Sequence, residues 1–213
     1  MKALNVLLGV LVLASVVLPD GAAAQSKQRG RVIVSDHDCC YYNRFTLDPY
    51  AGGLKDAYDI GADDDFGYLV GFRVGYQLGS RTRLLGNVAY SNTENVADPQ
   101  GLQSYYIYDN VWVMTTGGGE FDVVPGRTSA ALGLQAGAGW RKLDLESTVG
   151  TPVVNPLDDR NFTAYEVLLP SLTARHRLST RAAVMVSLQD YIFNFLEGPA
   201  QHSPALTLGL SFR

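Results

Sequence analysis

The stretch from Phe66 to Leu78 alternates large apolar residues with small or polar ones. The large residues are Tyr68, Val70, Phe72, Val74, Tyr76 and Leu78. The positions between them hold Gly67, Gly71, Arg73, Gly75 and Gln77, with Leu69 as the exception. Because successive side chains of a strand point to opposite faces, this strand has one apolar face and one small or polar face. A large apolar outside and a small inside are the inverse of a soluble protein's strand and predict a narrow barrel.

The same alternation recurs along the chain and predicts eight strands. In the last of them, Leu206, Leu208, Leu210 and Phe212 share one face. The predicted strands are Phe45–Lys55, Phe66–Leu78, Arg81–Ser91, Tyr105–Val123, Thr128–Lys142, Phe162–Leu178 with a bulge at Pro170, Arg181–Phe193 and Ala205–Arg213. Proline within a strand is tolerated at ends or bulges, which is why a bulge is expected at that residue.

The connections between these strands alternate in length. The short ones are Gly79-Ser80, Val124–Gly126 and Ser179-Thr180, and the long ones are Asp56–Asp65, Asn92–Ser104, Leu143–Asn161 and Asn194–Ser203. Short turns alternating with long loops are typical of transmembrane barrels. The fold class predicted is therefore all-β, a closed antiparallel eight-stranded transmembrane β-barrel. Arginines cluster near the short turns and acids in the long loops, which predicts that the long loops face outside the cell.

The N-terminus has the features of a secretory signal peptide. Lys2 supplies the positive start, Val6–Leu18 an apolar core, and the alanines before residue 25 a cleavage site. A transmembrane anchor needs about 20 apolar residues, and this core is shorter. We predict a signal peptide at residues 1–24, a periplasmic leader at 25–44 and an outer-membrane β-barrel domain at 45–213. The expected location is the outer membrane of a Gram-negative-type bacterium.

Four stretches carry a resemblance to a known family. They are Val70-Gly71-Phe72-Arg73-Val74-Gly75-Tyr76, Gly117-Gly118-Gly119-Glu120-Phe121, Ser187-Leu188-Gln189-Asp190-Tyr191 and Leu208-Gly209-Leu210-Ser211-Phe212. In this order they resemble the eight-stranded bacterial outer-membrane barrels, namely the membrane domain of the OmpA type and its single-domain relatives. The resemblance implies contact with outer-membrane lipid and lipopolysaccharide and with the barrel assembly machinery. It also implies that Phe212 is the assembly signal, although Arg213 follows it where the family usually ends.

Several charged residues fall on the inward faces of the predicted strands. They are Arg73, Arg83, Glu120 and Arg141. Buried charges are normally paired, so we predict that these residues form a structural plug inside the barrel. Glu120 and Arg83 lie at similar depth on adjacent strands and are expected to pair, with Arg73 as the alternative partner of Glu120.

The patterns that suggest catalysis or metal binding are weak. The acids between Asp56 and Asp65 lack the spacing of an EF-hand and read as a solvated loop. His202 and Ser203 lie near Asp190 in sequence, but adjacent strand residues point to opposite faces, which argues against joint action. The glycine clusters Gly117–Gly119 and Gly137–Gly139 precede no predicted helix, whereas a phosphate loop lies between a strand and the N-terminus of a helix. We therefore predict no catalytic residue, no metal ligand and no cofactor.

The two cysteines, Cys39 and Cys40, are adjacent and lack metal-site spacing. A vicinal disulfide, pairing with another chain and an unimportant reactive pair all remain open. The net charge of -4 does not suggest a nucleic-acid partner.

The sequence favours a non-enzymatic outer-membrane barrel that anchors surface loops and contributes to envelope integrity or surface interaction. The alternatives are a small porin-like channel, a lipid-A-modifying barrel enzyme and a secreted soluble barrel that binds an apolar ligand. The sequence leaves the oligomeric state, the surface partner and any solute open.

Overall fold

The structure is a computed structural model that describes residues 45–56, 66–97, 105–149, 162–196 and 198–213. They form eight strands: β1 (Phe45–Lys55), β2 (Phe66–Gln77), β3 (Thr82–Ala97), β4 (Tyr105–Val124), β5 (Thr128–Val149), β6 (Thr163–Arg177), β7 (Ala182–Phe193) and β8 (Gln201–Phe212). Each strand pairs with its neighbours in chain order, and β8 returns to β1 to close the barrel. The predicted fold class is confirmed. Within the described ranges, no helix is long and apolar enough to cross a membrane.

Closure is antiparallel and leaves no edge strand. Leu47 of β1 lies opposite Phe212 of β8, and Leu54 lies opposite Ala205. A closed barrel has no unpaired row of backbone groups at which another chain could add. Its two ends differ: three short connections define what we call the turn end, and the long connections define the loop end.

The period-two pattern places side chains inside and outside as predicted. On β2, Phe72 is 46% exposed, whereas its neighbour Arg73 is 1% exposed. The same alternation runs along β8, where Leu208 is 63% exposed and Thr207 is 1% exposed. The barrel therefore has an apolar outer wall, and its interior combines polar side chains with a buried apolar cluster that includes Trp112, Met114 and Phe193.

Two strands extend further toward the loop end than predicted. β3 continues to Ala97 instead of Ser91, and β5 continues to Val149 instead of Lys142. The ladder reaches Ala97↔Tyr106 and Tyr105↔Val149. Backbone pairing alone can prolong a hairpin beyond the membrane, where no lipid has to be matched.

The last long connection is also shorter than predicted, since β8 begins at Gln201 and not at Ala205. The remaining parts of the first three long loops, at 57–65, 98–104 and 150–161, lie outside the described residues. So do the predicted signal peptide and leader, together with Cys39 and Cys40.

Two of the short turns, between β2 and β3 and between β6 and β7, close by backbone hydrogen bonds. Leu78 N donates to Thr82 O at 3.0 Å, and Leu178 N donates to Ala182 O at 2.9 Å. In the turn between β4 and β5, Gly126 has φ of +148°, a conformation that favours glycine. The β4–β5 register shifts just before this turn, between Asp122 and Val124.

The bulge expected at Pro170 is absent. Pro170 pairs with Leu134 in an unbroken β5–β6 register. On its other side the β6–β7 pairs skip Leu169 and Pro170, but Leu168↔Ile192 and Ser171↔Gln189 belong to one register. The proline, which lacks an N–H, is accommodated by this local gap in the ladder and not by an inserted residue.

Candidate functional site

The interior side chains nearest the turn end form a charged cluster. Arg83 of β3 lies opposite Glu120 of β4, and its Nη2 donates to Glu120 Oε1 at 2.7 Å. Arg175 of β6 donates from Nη1 to Oε1 and from Nη2 to Oε2, both at 2.7 Å. Asp48 of β1 lies 3.9 Å from Arg83 Nη1. Each of these four residues is at most 5% exposed, so the ion pairs are shielded from solvent.

The cluster contains the predicted pair of Glu120 and Arg83, but Arg73 is not the alternative partner. The second partner of Glu120 is Arg175 of β6, a residue that was not among the predicted members of the plug. A period-two count from the outward Leu172 along β6 puts Arg175 on the inward face. The alternation itself therefore contained the signal for this residue.

Arg73 lies closer to the loop end than this cluster, in an interior layer of hydroxyl groups. Its Nη2 donates to Ser187 Oγ at 3.0 Å, and its Nη1 donates to Thr173 Oγ1 at 3.4 Å. The guanidinium carbon lies 5.1 Å from the centre of the Tyr50 ring, a cation–π distance. Arg73 thus connects β1, β2, β6 and β7 without a carboxylate partner in direct contact.

Two chains of hydrogen bonds start from Tyr50 and run around the wall. Tyr50 Oη donates to Asn87 Oδ1 at 2.7 Å and lies 3.4 Å from Tyr191 Oη. Beyond Asn87 the chain continues through Thr116 to Gln135, and beyond Tyr191 it continues through Gln189 to Thr207. These side chains come from β1, β3, β4, β5, β7 and β8, so the layer ties most of the barrel together.

The Tyr50 ring fits because the neighbouring wall lacks side chains. A Cβ on Gly71 would lie 2.5 Å from Tyr50 Oη, and a Cβ on Gly209 would lie 2.9 Å from Tyr50 Cβ. Such distances are shorter than van der Waals contact allows. The two glycines make room for the aromatic ring that crosses the interior at this level.

The layer toward the loop end combines one polar chain with stacked aromatic rings. Asn110 donates from Nδ2 to Asp56 and accepts from Arg141 Nε at 2.9 Å. Trp112 stacks on Phe193, with ring centres 4.1 Å apart. Asp56 had been assigned to an exposed acidic loop, but the structure buries it in the barrel at 8% exposure.

The catalytic alternative involved His202, Ser203 and Asp190. His202 Nδ1 lies 2.7 Å from Asp190 Oδ2, and the His202 side chain is 58% exposed on the outer wall. Ser203 is buried on the opposite face of β8. Histidine and serine therefore lie on opposite sides of the barrel wall. Within the described ranges, no three metal-ligating side chains gather into a group.

Phe212, the predicted assembly signal, lies on the outer wall at the turn end and is 44% exposed. It pairs with Ala182 of β7 and Leu47 of β1 and so takes part in closing the barrel. Its role in assembly remains a prediction.

The comparisons with known proteins fit this architecture. No protein-family model and no curated protein matches the chain. The crystal structure of Neisserial surface protein A (NspA) matches it with a TM-score of 0.51 at 12% identity, over 80% of this chain and 97% of that one. NspA is an eight-stranded outer-membrane barrel. This chain has the same fold.

Two further solved barrels are similar to this barrel at lower structural agreement. Ail of Yersinia pestis has a TM-score of 0.42 and 13% identity, over 79% of this chain and 95% of its own. The outer membrane protein OprG of Pseudomonas aeruginosa has a TM-score of 0.42 and 10% identity, over 79% and 94%.

Proposed function

We propose that this protein is a non-enzymatic outer-membrane barrel that anchors surface loops and so contributes to envelope integrity or surface interaction. The outer wall supports a membrane location. Leu132, Leu188 and Leu208 are each more than half exposed on that wall, at 56%, 56% and 63%. A continuous apolar surface of this kind is unfavourable in water and is covered by lipid in a transmembrane barrel. The same surface argues against the soluble-barrel alternative.

The observation that carries the proposal is the way the interior is crossed by side chains. Glu120 joins Arg83 of β3 to Arg175 of β6, which links strands on different sides of the barrel near the turn end. The layers above it are filled by Arg73 with Tyr50 and by Trp112 with Phe193. An eight-stranded barrel leaves an interior only just wide enough for side chains to fill. The surfaces available for contact with other molecules are therefore the outer wall and the two ends of the barrel.

The enzyme alternative finds little support in the geometry at the loop end. A nucleophile needs its base within hydrogen-bond reach, and the barrel wall separates Ser203 from His202. His202 instead contacts Asp190 at the outer surface. This arrangement favours a structural pair on the lipid side of the rim.

The test of the proposed function combines membrane fractionation with surface labelling. The protein is expected in outer-membrane fractions, with a gel mobility that differs between boiled and unboiled samples. An epitope tag within residues 150–161 is expected to be labelled on intact cells, whereas a tag after Gly126 is expected to need opened cells. Labelling of the second tag alone on intact cells would reverse the orientation and remove the basis for surface display.

A further inference from the structure

Arginine recurs at one position of each short turn. Arg81, Arg127 and Arg181 each directly precede the strand that follows the turn. The carbonyl oxygen of each accepts a backbone N–H from a neighbouring strand. The donors are Asp122 to Arg81 at 2.8 Å, Arg177 to Arg127 at 2.8 Å and Arg213 to Arg181 at 2.9 Å. The backbone thus fixes a ring of arginines around the mouth of the barrel at the turn end.

Two of these hydrogen bonds bring arginines face to face. Arg127 and Arg177 lie opposite each other beside the Thr128↔His176 pair, and Arg181 and Arg213 lie opposite each other beside the Ala182↔Phe212 pair. Like charges directly opposite each other on adjacent strands are destabilising. The turn end therefore maintains a concentration of positive charge that a bound anion would relieve.

A recess lies between these arginines at the ends of β5 to β8. Its lining includes Arg175, Arg177 and Arg213 together with the hydroxyl-bearing Ser129 and Ser211, and its volume is about 30 Å³. Arg175 is only 5% exposed, and its Nε has no hydrogen-bond partner. A single water needs about 10–15 Å³, so the recess holds about two water-sized groups, such as the two oxygens of one carboxylate.

Among the described residues at this end, arginines outnumber acids. Asp48 and Glu120 are buried among Arg83 and Arg175, and the partly exposed Asp122 interacts electrostatically with Arg83, Arg175 and Arg213. In the sequence before β1, residues 25–44 include more basic than acidic residues. The charged residues among them are Lys27, Arg29, Arg31, Arg44, Asp36 and Asp38.

We propose that the turn end of the barrel binds an acidic peptide segment of a water-soluble partner, with one carboxylate in this recess. Arg177 and Arg213 continue the inward rows of β6 and β8 and are partly buried, whereas Leu178 and Phe212 beside them face outward. A ligand therefore approaches along the barrel axis and not sideways from the lipid. Guanidinium groups bind carboxylates through two parallel hydrogen bonds, which matches both the charge and the size of the recess.

The test uses the full chain, purified in a zwitterionic detergent, and a fluorescent hexaglutamate peptide followed by anisotropy at low salt. The doubly substituted R177Q/R213Q is expected to bind the peptide at least tenfold more weakly than the wild type. K55Q/K142Q, which removes two cations near the loop end, is the matched control and is expected to stay within twofold. R177K/R213K keeps the positive charge but loses the paired N–H donors of the guanidinium group. This variant is expected to bind the peptide at least threefold more weakly than the wild type, but less weakly than R177Q/R213Q does.

Folding of each variant is checked by the gel mobility of the unboiled sample. If R177Q/R213Q fails this check, the single variant R127Q, which also removes an arginine from the lining of the recess, takes its place. The proposal is overturned if the wild type does not bind the peptide, or if the control loses as much affinity as R177Q/R213Q. It is also overturned if short-chain polyphosphate binds the wild type as tightly as the peptide, since the recess would then not select carboxylates.

Discussion

Arg175 donates hydrogen bonds from both terminal nitrogens to the two carboxylate oxygens of Glu120, each at 2.7 Å. The carboxylate also accepts from Arg83, so one acid holds two arginines that come from different sides of the barrel. With side-chain exposures of 5% or less, these groups interact with little screening by solvent. The ion pairs of Glu120 therefore stabilise the turn end of the barrel.

Glu120→Gln is expected to destabilise the barrel by roughly 3–5 kcal/mol, because it leaves Arg83 and Arg175 buried without their carboxylate. The measurement is the free energy of unfolding in urea, with the protein in lipid vesicles. Asp190→Asn removes an acid from a partly exposed pair with His202 and serves as the control, with an expected change of about 0–1 kcal/mol. Equal changes in the free energy of unfolding of the two variants would show that the ion pairs of Glu120 stabilise the barrel no more than a partly exposed pair does.

Gly71→Ala is expected to destabilise the barrel by about 1–3 kcal/mol, since its methyl group would overlap the Tyr50 hydroxyl. Gly86→Ala is the matched control because a Cβ there would meet no atom within 4 Å. Its free energy of unfolding is expected to stay within about 0.5 kcal/mol of the wild type. A Gly71→Ala variant as stable as the wild type would mean that Tyr50 does not need the space left by the glycine.

The period-two pattern was sufficient to predict which side chains face outward, and it fixed eight strands and their order. The outward position of Phe72 and the inward position of Arg73 were predictable from the sequence, because the lipid-facing side of a membrane-spanning strand must be apolar. The same reasoning failed toward the loop end of β3 and β5, where backbone pairing continues without that constraint. The inward count along β6 identifies Arg175 as an interior residue, but the basic run from Arg175 to Arg177 just before a short turn resembles an exposed segment.

Which interior side chains contact each other depends on their depth along the barrel axis, and the sequence indicates that depth only roughly. The pair of Arg83 and Glu120 was predictable because both residues lie a few positions from a short turn. The chain from Asp56 through Asn110 to Arg141 was not predictable, because Asp56 begins a run of acids that reads as a loop. Its burial follows from its position directly after β1, next to interior residues of other strands.

Val74→Arg is expected to impair assembly, whereas Leu78→Arg is expected to be tolerated. Both residues are exposed on the outer wall, at 42% and 45%, and they belong to the same outward row. Leu78 follows the end of β2 in a turn, while Val74 lies within the strand. An arginine costs roughly 2–4 kcal/mol at the bilayer midplane and about 0–1 kcal/mol near the interface. The yield of heat-modifiable protein in membranes measures the difference, and equal yields would contradict the assigned lipid-facing span.

The central claim is that the interior is crossed by side chains and that the barrel acts through its wall and ends. Single-channel recording in planar bilayers tests this most directly, with a large-pore porin in the same chamber as the positive control. The purified wild type is expected to show no steady current, because Glu120, Arg83 and Arg175 bridge the interior. Large, steady single-channel currents from the folded wild type would contradict the account and identify the protein as a channel.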